Sequence, residues 1–338
     1  CYTDFSANDT EKRWEDSKMD ACIKELYRIG IVPVVAIEDA NDALPLAAAL
    51  KKGGVSAIEI TFRTAAAAEA IRTLTREMPD MTVGAGTVVT KEQADAAIAA
   101  GAKFIVSPGF QPALVAYVRE KGIAMCPGTA TPGEMEQAMS LGLDAVKFFP
   151  AEQNGGPAML KALSAPYQNL RFMPTGGVTL ENLQRYFALK QVFACGGTWL
   201  AKKEDIRAHA FETVTARTRA AVRTMLNFKI KHVGINSKDD AEAKQNASLI
   251  ASIFDLDCIE TPVSFFSGTA VEVMKYQGKG SLGHVAIGTD NVDRAEYYLA
   301  KRGVRFDEST RKVDSLGRST FLYLEGEIGG FAFHLIEN

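Results

Sequence analysis

Tryptophan, histidine and cysteine are scarce in this chain: two, four and five among 338 residues. The cysteines (Cys1, Cys22, Cys126, Cys195 and Cys258) are odd in number, scattered and form no C-x-x-C pair. That argues against a disulfide framework and predicts reduced thiols in a cytoplasmic protein. No apolar run approaches the roughly 20 residues of a membrane-spanning helix. Basic excess is lacking too. Lys and Arg number 38 against 41 Asp and Glu, a net charge of −3. Neither a nucleic-acid nor a membrane partner is therefore expected. Residues 1–18 are polar, with only Tyr2, Phe5 and Trp14 as large apolar groups, and lack the apolar segment of a signal peptide. They read as a poorly ordered extension ahead of Met19, which looks like a natural start.

What is present is ordinary globular composition, 47% hydrophobic and 23% charged, with ample chain for a sizeable core. The length predicts about two domains, and the pattern places them at 19–226 and 227–338. In the first, short apolar strands at 31–37, 57–63, 81–87, 104–108, 124–127, 145–149, 171–175 and 192–195 alternate with helices at 42–52, 65–77, 91–100, 112–121, 132–141, 157–163 and 180–188. A last helical stretch covers 203–225. Such alternation predicts a parallel sheet, and eight units predict a (β/α)8 TIM barrel. An open doubly wound sheet is the rival, but the first strand is followed by Glu38-Asp39-Ala40 rather than a glycine fingerprint.

The sixth strand carries a lysine in an apolar run, Ala145-Val146-Lys147-Phe148-Phe149. Alternation puts Ala145, Lys147 and Phe149 on one face, and a strand apolar on both sides is covered on both. An amine kept from water is favoured in its neutral form and can attack a ketone to give a Schiff base. The bland alternative is a surface lysine on an edge strand. In the second strand, Glu59, Thr61 and Arg63 share a face. An inward Glu and Arg either serve a site or form a buried structural salt bridge. Strand ends are rich in glycine and small hydroxyls. Thr175-Gly176-Gly177 and Gly196-Gly197-Thr198 follow strands seven and eight, where barrels often hold a phosphate on backbone N–H groups.

Taken together, IVPVVAI, GGVSAIEITFRT, VGAGTV, FIVSPG, VKFFPAE, FMPTGGVTLEN and GGTWL resemble the 2-keto-3-deoxy-6-phosphogluconate aldolases, which overlap with the 4-hydroxy-2-oxoglutarate aldolases. The similarity spans about residues 31–200. It implies a class I aldolase of Entner–Doudoroff carbohydrate metabolism on a trimeric barrel. No cofactor is then needed beyond the covalent Schiff base. By the resemblance, Lys147 is the Schiff-base lysine and Glu59 the general acid/base. Arg63 and Thr87 hold the pyruvyl carboxylate, and Pro108, Phe149 and Thr175 line the pyruvyl pocket. Gly176, Gly177, Gly197 and Thr198 hold the phosphate. The implied ligands are a 2-keto-3-deoxy sugar acid phosphate and pyruvate, and the implied assembly is a homotrimer or larger homo-oligomer. Some relatives carry serine where Thr198 stands, so the hydroxyl is kept while the added methyl narrows the pocket.

After Met225 the pattern changes. Lys231-His232-Val233-Gly234-Ile235 recurs as Gly283-His284-Val285-Ala286-Ile287. Each copy precedes a helical stretch (239–254, then 292–302) and strand-like segments (259–266 with 270–276, then 321–325 with 330–336). This predicts an α+β domain of two βαβββ modules. Alternation sets the valines and isoleucines against the helices and the histidines on the other face, and Glu272 and His334 share that arrangement in the closing strands. Imidazole and carboxylate suit Zn, Ni, Mn, Fe or Co. His209, alone on a predicted helix, reads as a surface residue. The segments VEVMKY, GSLGHVAIGT and FAFHLIEN resemble the glyoxalase/vicinal-oxygen-chelate superfamily over about residues 228–338. By that resemblance His232, Glu272, His284 and His334 are the metal ligands, with histidine where glutamate is more usual at His334.

Three readings of the whole follow. In the first, the barrel cleaves 2-keto-3-deoxy-6-phosphogluconate and the second domain is an accessory metal enzyme for a related sugar acid or a ketoaldehyde. In the second, the barrel prefers 4-hydroxy-2-oxoglutarate. In the third, the second domain is a non-catalytic binding or dimerisation module.

Overall fold

A computed structural model of the chain describes residues 20–338. The stretch 1–18 and Met19 lie outside the described residues. The chain divides into two compact units, the first ending at Met225 and the second running from Leu226 to Asn338.

The first unit begins with α1 (Ala21–Ile29), capped where Asp20 accepts a hydrogen bond from the Cys22 N–H and ended by Gly30 at φ 74. Then follow β1 (Ile31–Val35), α2 (Ala43–Gly53), β2 (Ala57–Thr61), α3 (Ala67–Glu77), β3 (Thr82–Gly86), α4 (Lys91–Ala99), β4 (Phe104–Val106), α5 (Pro112–Glu120), β5 (Ala124–Cys126), β6 (Gly128–Thr129), α6 (Pro132–Ser140), β7 (Ala145–Phe148), α7 (Gly156–Ser164), β8 (Arg171–Pro174), α8 (Leu183–Phe187), β9 (Cys195–Gly197), α9 (Lys203–Arg207) and α10 (Phe211–Leu226). Helix starts follow local chemistry. Pro132 opens α6 inside a Thr131–Glu134 capping box.

All strand pairs of this unit are parallel. The order β5-β4-β3-β2-β1-β9 continues through β6-β7-β8, and a Thr175–Gly196 bridge joins β8 to β9. The sheet thus curls into a TIM-barrel-like wall rather than the open rival. The expected fifth strand is split, because Pro127 has no N–H to give a ladder. The eighth falls at Cys195–Gly197, later than expected. The long last helix is two, broken at His209, whose φ is 50. His209 is exposed, but in the break rather than on a helix.

The second unit contains β10 (Lys229–Ile235), α11 (Asp240–Phe254), β11 (Cys258–Glu260), β12 (Ser264–Ser267) and β13 (Val271–Met274), then β14 (Gly283–Thr289), α12 (Val292–Ala300), β15 (Phe306–Val313), β16 (Ser319–Ile328) and β17 (Phe331–Glu337). The order of elements is β-α-β-β-β, twice. One eight-stranded sheet runs β11-β12-β13-β10-β14-β17-β16-β15. In each half the first strand pairs in parallel with the last, β10 with β13 and β14 with β17. The halves meet antiparallel at β10 and β14, where Val233 faces Val285. Gly234 lies beside Glu272 as Ala286 lies beside His334, so the two halves are related by a local two-fold axis.

Two expectations fail here. Strand β15 reads FDESTRKV, with no apolar alternation, and was not foreseen. The valine and isoleucine face of the central strands is only partly covered: Ile235 is 36% exposed. Helix α11 instead packs its small Ala243 and Ala247 against Phe265 and Val273 of β12 and β13.

Candidate active site and candidate metal centre

Strand β7 sets Lys147 inside the barrel, 4% exposed, and β2 sets Glu59 there, fully buried. Lys147 Nζ lies 3.5 Å from Glu59 Oε1 and 5.1 Å from the centre of the Phe149 ring. The bland reading of a surface lysine is thus excluded. Glu59 Oε2 is buried without a hydrogen-bond partner, leaving one oxygen uncommitted beside the amine. A buried polar atom of this kind is costly unless something else uses it. The carboxylate fits only because its neighbours lack side chains. A Cβ on Gly86 would run into Glu59 Oε1, and one on Gly84 into the Phe104 ring.

Arg63 departs from expectation. Strand β2 ends at Thr61, so Arg63 lies beyond it, exposed, and makes no ion pair with Glu59. Its Nε donates to Thr87 Oγ1 at 3.1 Å. Thr87 has φ 56. A β-branched residue rarely adopts that region, and such strain gathers at functional sites. Pro108 and Phe149 are half-buried and Thr175 is buried. The Thr175–Gly196 bridge brings Gly176 and Gly177 next to Gly197 and Thr198, with Gly177 and Thr198 exposed at the strand ends.

Sequence reasoning missed Glu152 and Tyr186. The Glu152 N–H donates to the Gly176 carbonyl at 3.0 Å, and its carboxylate accepts from the Tyr186 hydroxyl. Burial, then that carboxylate, pushes the Tyr186 phenol far above its usual range. The only signal for Glu152 was its place in VKFFPAE, and Tyr186 gave none.

In the second unit, four strands bring the expected ligands together. His232 Nε2, His284 Nε2 and Glu272 Oε2 form a triangle with edges of 3.1, 3.1 and 3.2 Å. Ring nitrogens of His232, His284 and His334 can all lie within 4.8 Å of one another. A tetrahedral ion with bonds of about 2.0–2.1 Å would set its ligands about 3.3 Å apart, so the donor set and its spacing fit a divalent metal. His334 Nδ1 is buried and makes no hydrogen bond.

Burial alone would raise the Glu272 carboxyl, but His232, His284 and Ser264 hold it well below the usual range. The Ser264 hydroxyl donates to it at 2.6 Å. His334 is pushed down to about 3 by burial, then by the neighbouring His284 and His232, and so is neutral and able to ligate at neutral pH. Its ring sits 4.5 Å from Phe321 and 4.9 Å from Tyr323. Ser264 and Gly234 were not foreseen. A Cβ on Gly234 would strike the His284 ring, and the one available hint was glycine against alanine at equivalent places in the repeat.

The sequence model of the family described as "Aldolase: KDPG and KHG aldolase" matches residues 22–217. A 2-dehydro-3-deoxy-phosphogluconate aldolase of Treponema pallidum (strain Nichols) is 47% identical over 205 residues, which is 61% of this chain and 98% of that protein. A KHG/KDPG aldolase of Escherichia coli (strain K12) is 41% identical over 192 residues, 57% of this chain and 90% of that protein. Among solved structures, a KDPG aldolase from Legionella pneumophila with pyruvate captured as a covalent carbinolamine superposes with a TM-score of 0.57. It shares 36% identity and covers 59% of this chain and 97% of that one.

Proposed function

The chain belongs to the KDPG and KHG aldolase family, and from that premise we propose how its residues carry the reaction of a class I aldolase. The reaction cleaves 2-keto-3-deoxy-6-phosphogluconate to pyruvate and glyceraldehyde 3-phosphate, and the enzyme is a carbon–carbon lyase. Lys147 Nζ attacks the C2 ketone, and loss of water from the carbinolamine gives an iminium. Glu59, through a bridging water, takes the proton of the C4 hydroxyl. The C3–C4 bond breaks, its electrons pass into the iminium as an enamine, and glyceraldehyde 3-phosphate leaves. Protonation of the enamine at C3 and hydrolysis release pyruvate and restore the amine. Arg63 and Thr87 take the substrate carboxylate, while Pro108, Phe149 and Thr175 wall the pyruvyl group. Gly176, Gly177, Gly197 and Thr198 take the phosphate, which favours the phosphorylated substrate over 4-hydroxy-2-oxoglutarate. The assembly we infer is a homotrimer or a larger homo-oligomer.

One observation carries this reading: the amine of Lys147 lies 3.5 Å from a carboxylate with no water-exposed surface. Borohydride with pyruvate should trap a covalent adduct on the chain, and Lys147→Ala should abolish both trapping and turnover. Turnover retained by that variant defeats the proposal.

For the second unit we propose a glyoxalase/vicinal-oxygen-chelate-like domain in which His232, Glu272, His284 and His334 hold a divalent ion. The triangle of ligand atoms supports it, as does the doubled β-α-β-β-β order. Bound there, such an ion would supply Lewis-acid polarisation of a coordinated oxygen. The chain's own residues orient the ligands: Ser264 fixes Glu272, and the Phe321 and Tyr323 rings hold His334. Metal analysis of the purified chain tests this. One equivalent supports an ion site, and none supports a metal-free binding or dimerisation module.

A further inference from the structure

The row of residues beside the histidines has a charge pattern of its own. His232 faces Ala286 across β10 and β14, Ala286 faces His334, and His334 faces Tyr323. Two residues along each strand lies a second row on the same face of the sheet. Gly288 faces Ile336, Ile336 faces Phe321, and Phe321 faces Lys312.

At the other end, the β10 register slips between Ile230 and His232, so that Lys231 is an extra residue. A bulge of this kind re-aims a side chain. The Asn338 amide oxygen and the Lys231 stem both lie across Gly288, where a Cβ would meet Asn338 Oδ1 first and then Lys231 Cδ and Cγ. Lys229 is the residue opposite Gly288. The row therefore has lysines at both ends, with Gly288 under the Asn338 amide, then Ile336 and Phe321, between them. Lys312 Nζ sits 5.0 Å from the Phe321 ring centre.

The neighbouring charges are accounted for. Lys279, over the Tyr323 ring, is paired with Asp307 at 2.5 Å. Asp290, at the end of β14, accepts from the Asn227 and Asn338 amides. Glu272 is held by His232, His284 and Ser264. Lys229, Lys231 and Lys312 make no ion pair among the described residues. An apolar floor flanked by cations of one sign focuses field on whatever lies between them.

We propose that this face binds a small carboxylate: an organic acid whose apolar part rests on Ile336 and Phe321 and whose charge is met by Lys312, the lysine beside Phe321. This deepens, and rests on, the reading of the histidine cluster as a metal site, since a divalent ion held by one carboxylate adds further positive charge. The barrel's own product, pyruvate, belongs to the same chemical class.

Histidine ring signals test it, because the chain has four histidines and three of them line this face. In the full-length chain labelled at histidine, zinc alone should move the signals of His232, His284 and His334 and leave His209. Lactate should then move the same three, and its neutral amide, lactamide, should not. Lys312→Met should raise the lactate concentration at half-saturation about fivefold, the strength of one close charge pair in water, and Lys231→Met, at the far end of the row, by less. If zinc moves nothing, the metal reading fails by itself, and lactate titrated without zinc decides the present proposal. Equal responses to lactate and lactamide, or unchanged lactate binding in Lys312→Met, overturn it.

Discussion

Both units bury ionisable groups against a sheet of about the same size, but they do so in different ways. The barrel wall curls round, so Lys147 and Glu59 are sheltered on every side. An amine and a carboxyl group 3.5 Å apart hold each other there, and each is an expensive neighbour once the other is gone. The second sheet is open, with edges at β11 and β15, and its polar cluster sits on one face. Imidazole can be buried neutral, so His334 tolerates 2% exposure with aromatic rings on one side. The first arrangement awaits a covalent bond to substrate. The second gathers three imidazoles and a carboxylate on one face, the donor set we propose for a divalent ion. The difference teaches that a closed wall shelters a reacting pair from water on all sides, whereas an open sheet gathers its polar side chains on a single face.

That contrast can be broken by experiment. The largest effect expected after loss of the lysine itself is at its carboxylate partner. Glu59→Gln should lower kcat by about 10²–10⁴-fold, the usual worth of a placed acid/base, while borohydride trapping with pyruvate persists. Loss of trapping as well would show that Glu59 builds the pocket instead of moving the proton. Next comes the metal. His284→Ala should weaken zinc binding by more than the ~10–100-fold typical of an outer-shell change, with aldolase turnover unchanged. A measured fall in turnover would mean that the two units do not act separately. The smallest effect separates closed wall from open edge. Cys126 is fully buried in β5, where burial holds its thiol far above the usual range. Cys258 is exposed on β11. Iodoacetamide at pH 8 should alkylate Cys258 in the folded chain and reach Cys126 only after denaturant. Equal labelling would refute the closed wall.

Much of this was legible beforehand, for identifiable reasons. Lys147 stands in a run whose period-2 pattern leaves nowhere dry to put a charge except the interior. The histidine repeat announces itself because four histidines are few and two of them recur in one motif. Lost to sequence reading were features that depend on who stands across the sheet. Gly86 and Gly234 are small because Glu59 and His284 need the space, and no local pattern names a cross-strand neighbour. Strand β15 is polar because it is an edge, so hydrophobic alternation cannot mark it. Arg63 was placed inward by extending β2 two residues too far, and the strand's true end frees it to reach Thr87.

The local two-fold of the second unit has one further consequence. A pocket built from two identical halves would offer any guest a pair of equivalent poses, each turned over from the other. Here one half contributes Glu272 and the other His334 at matching positions. That unlike pair makes the two poses unequal, so a guest lying between the halves would meet a different partner on each side.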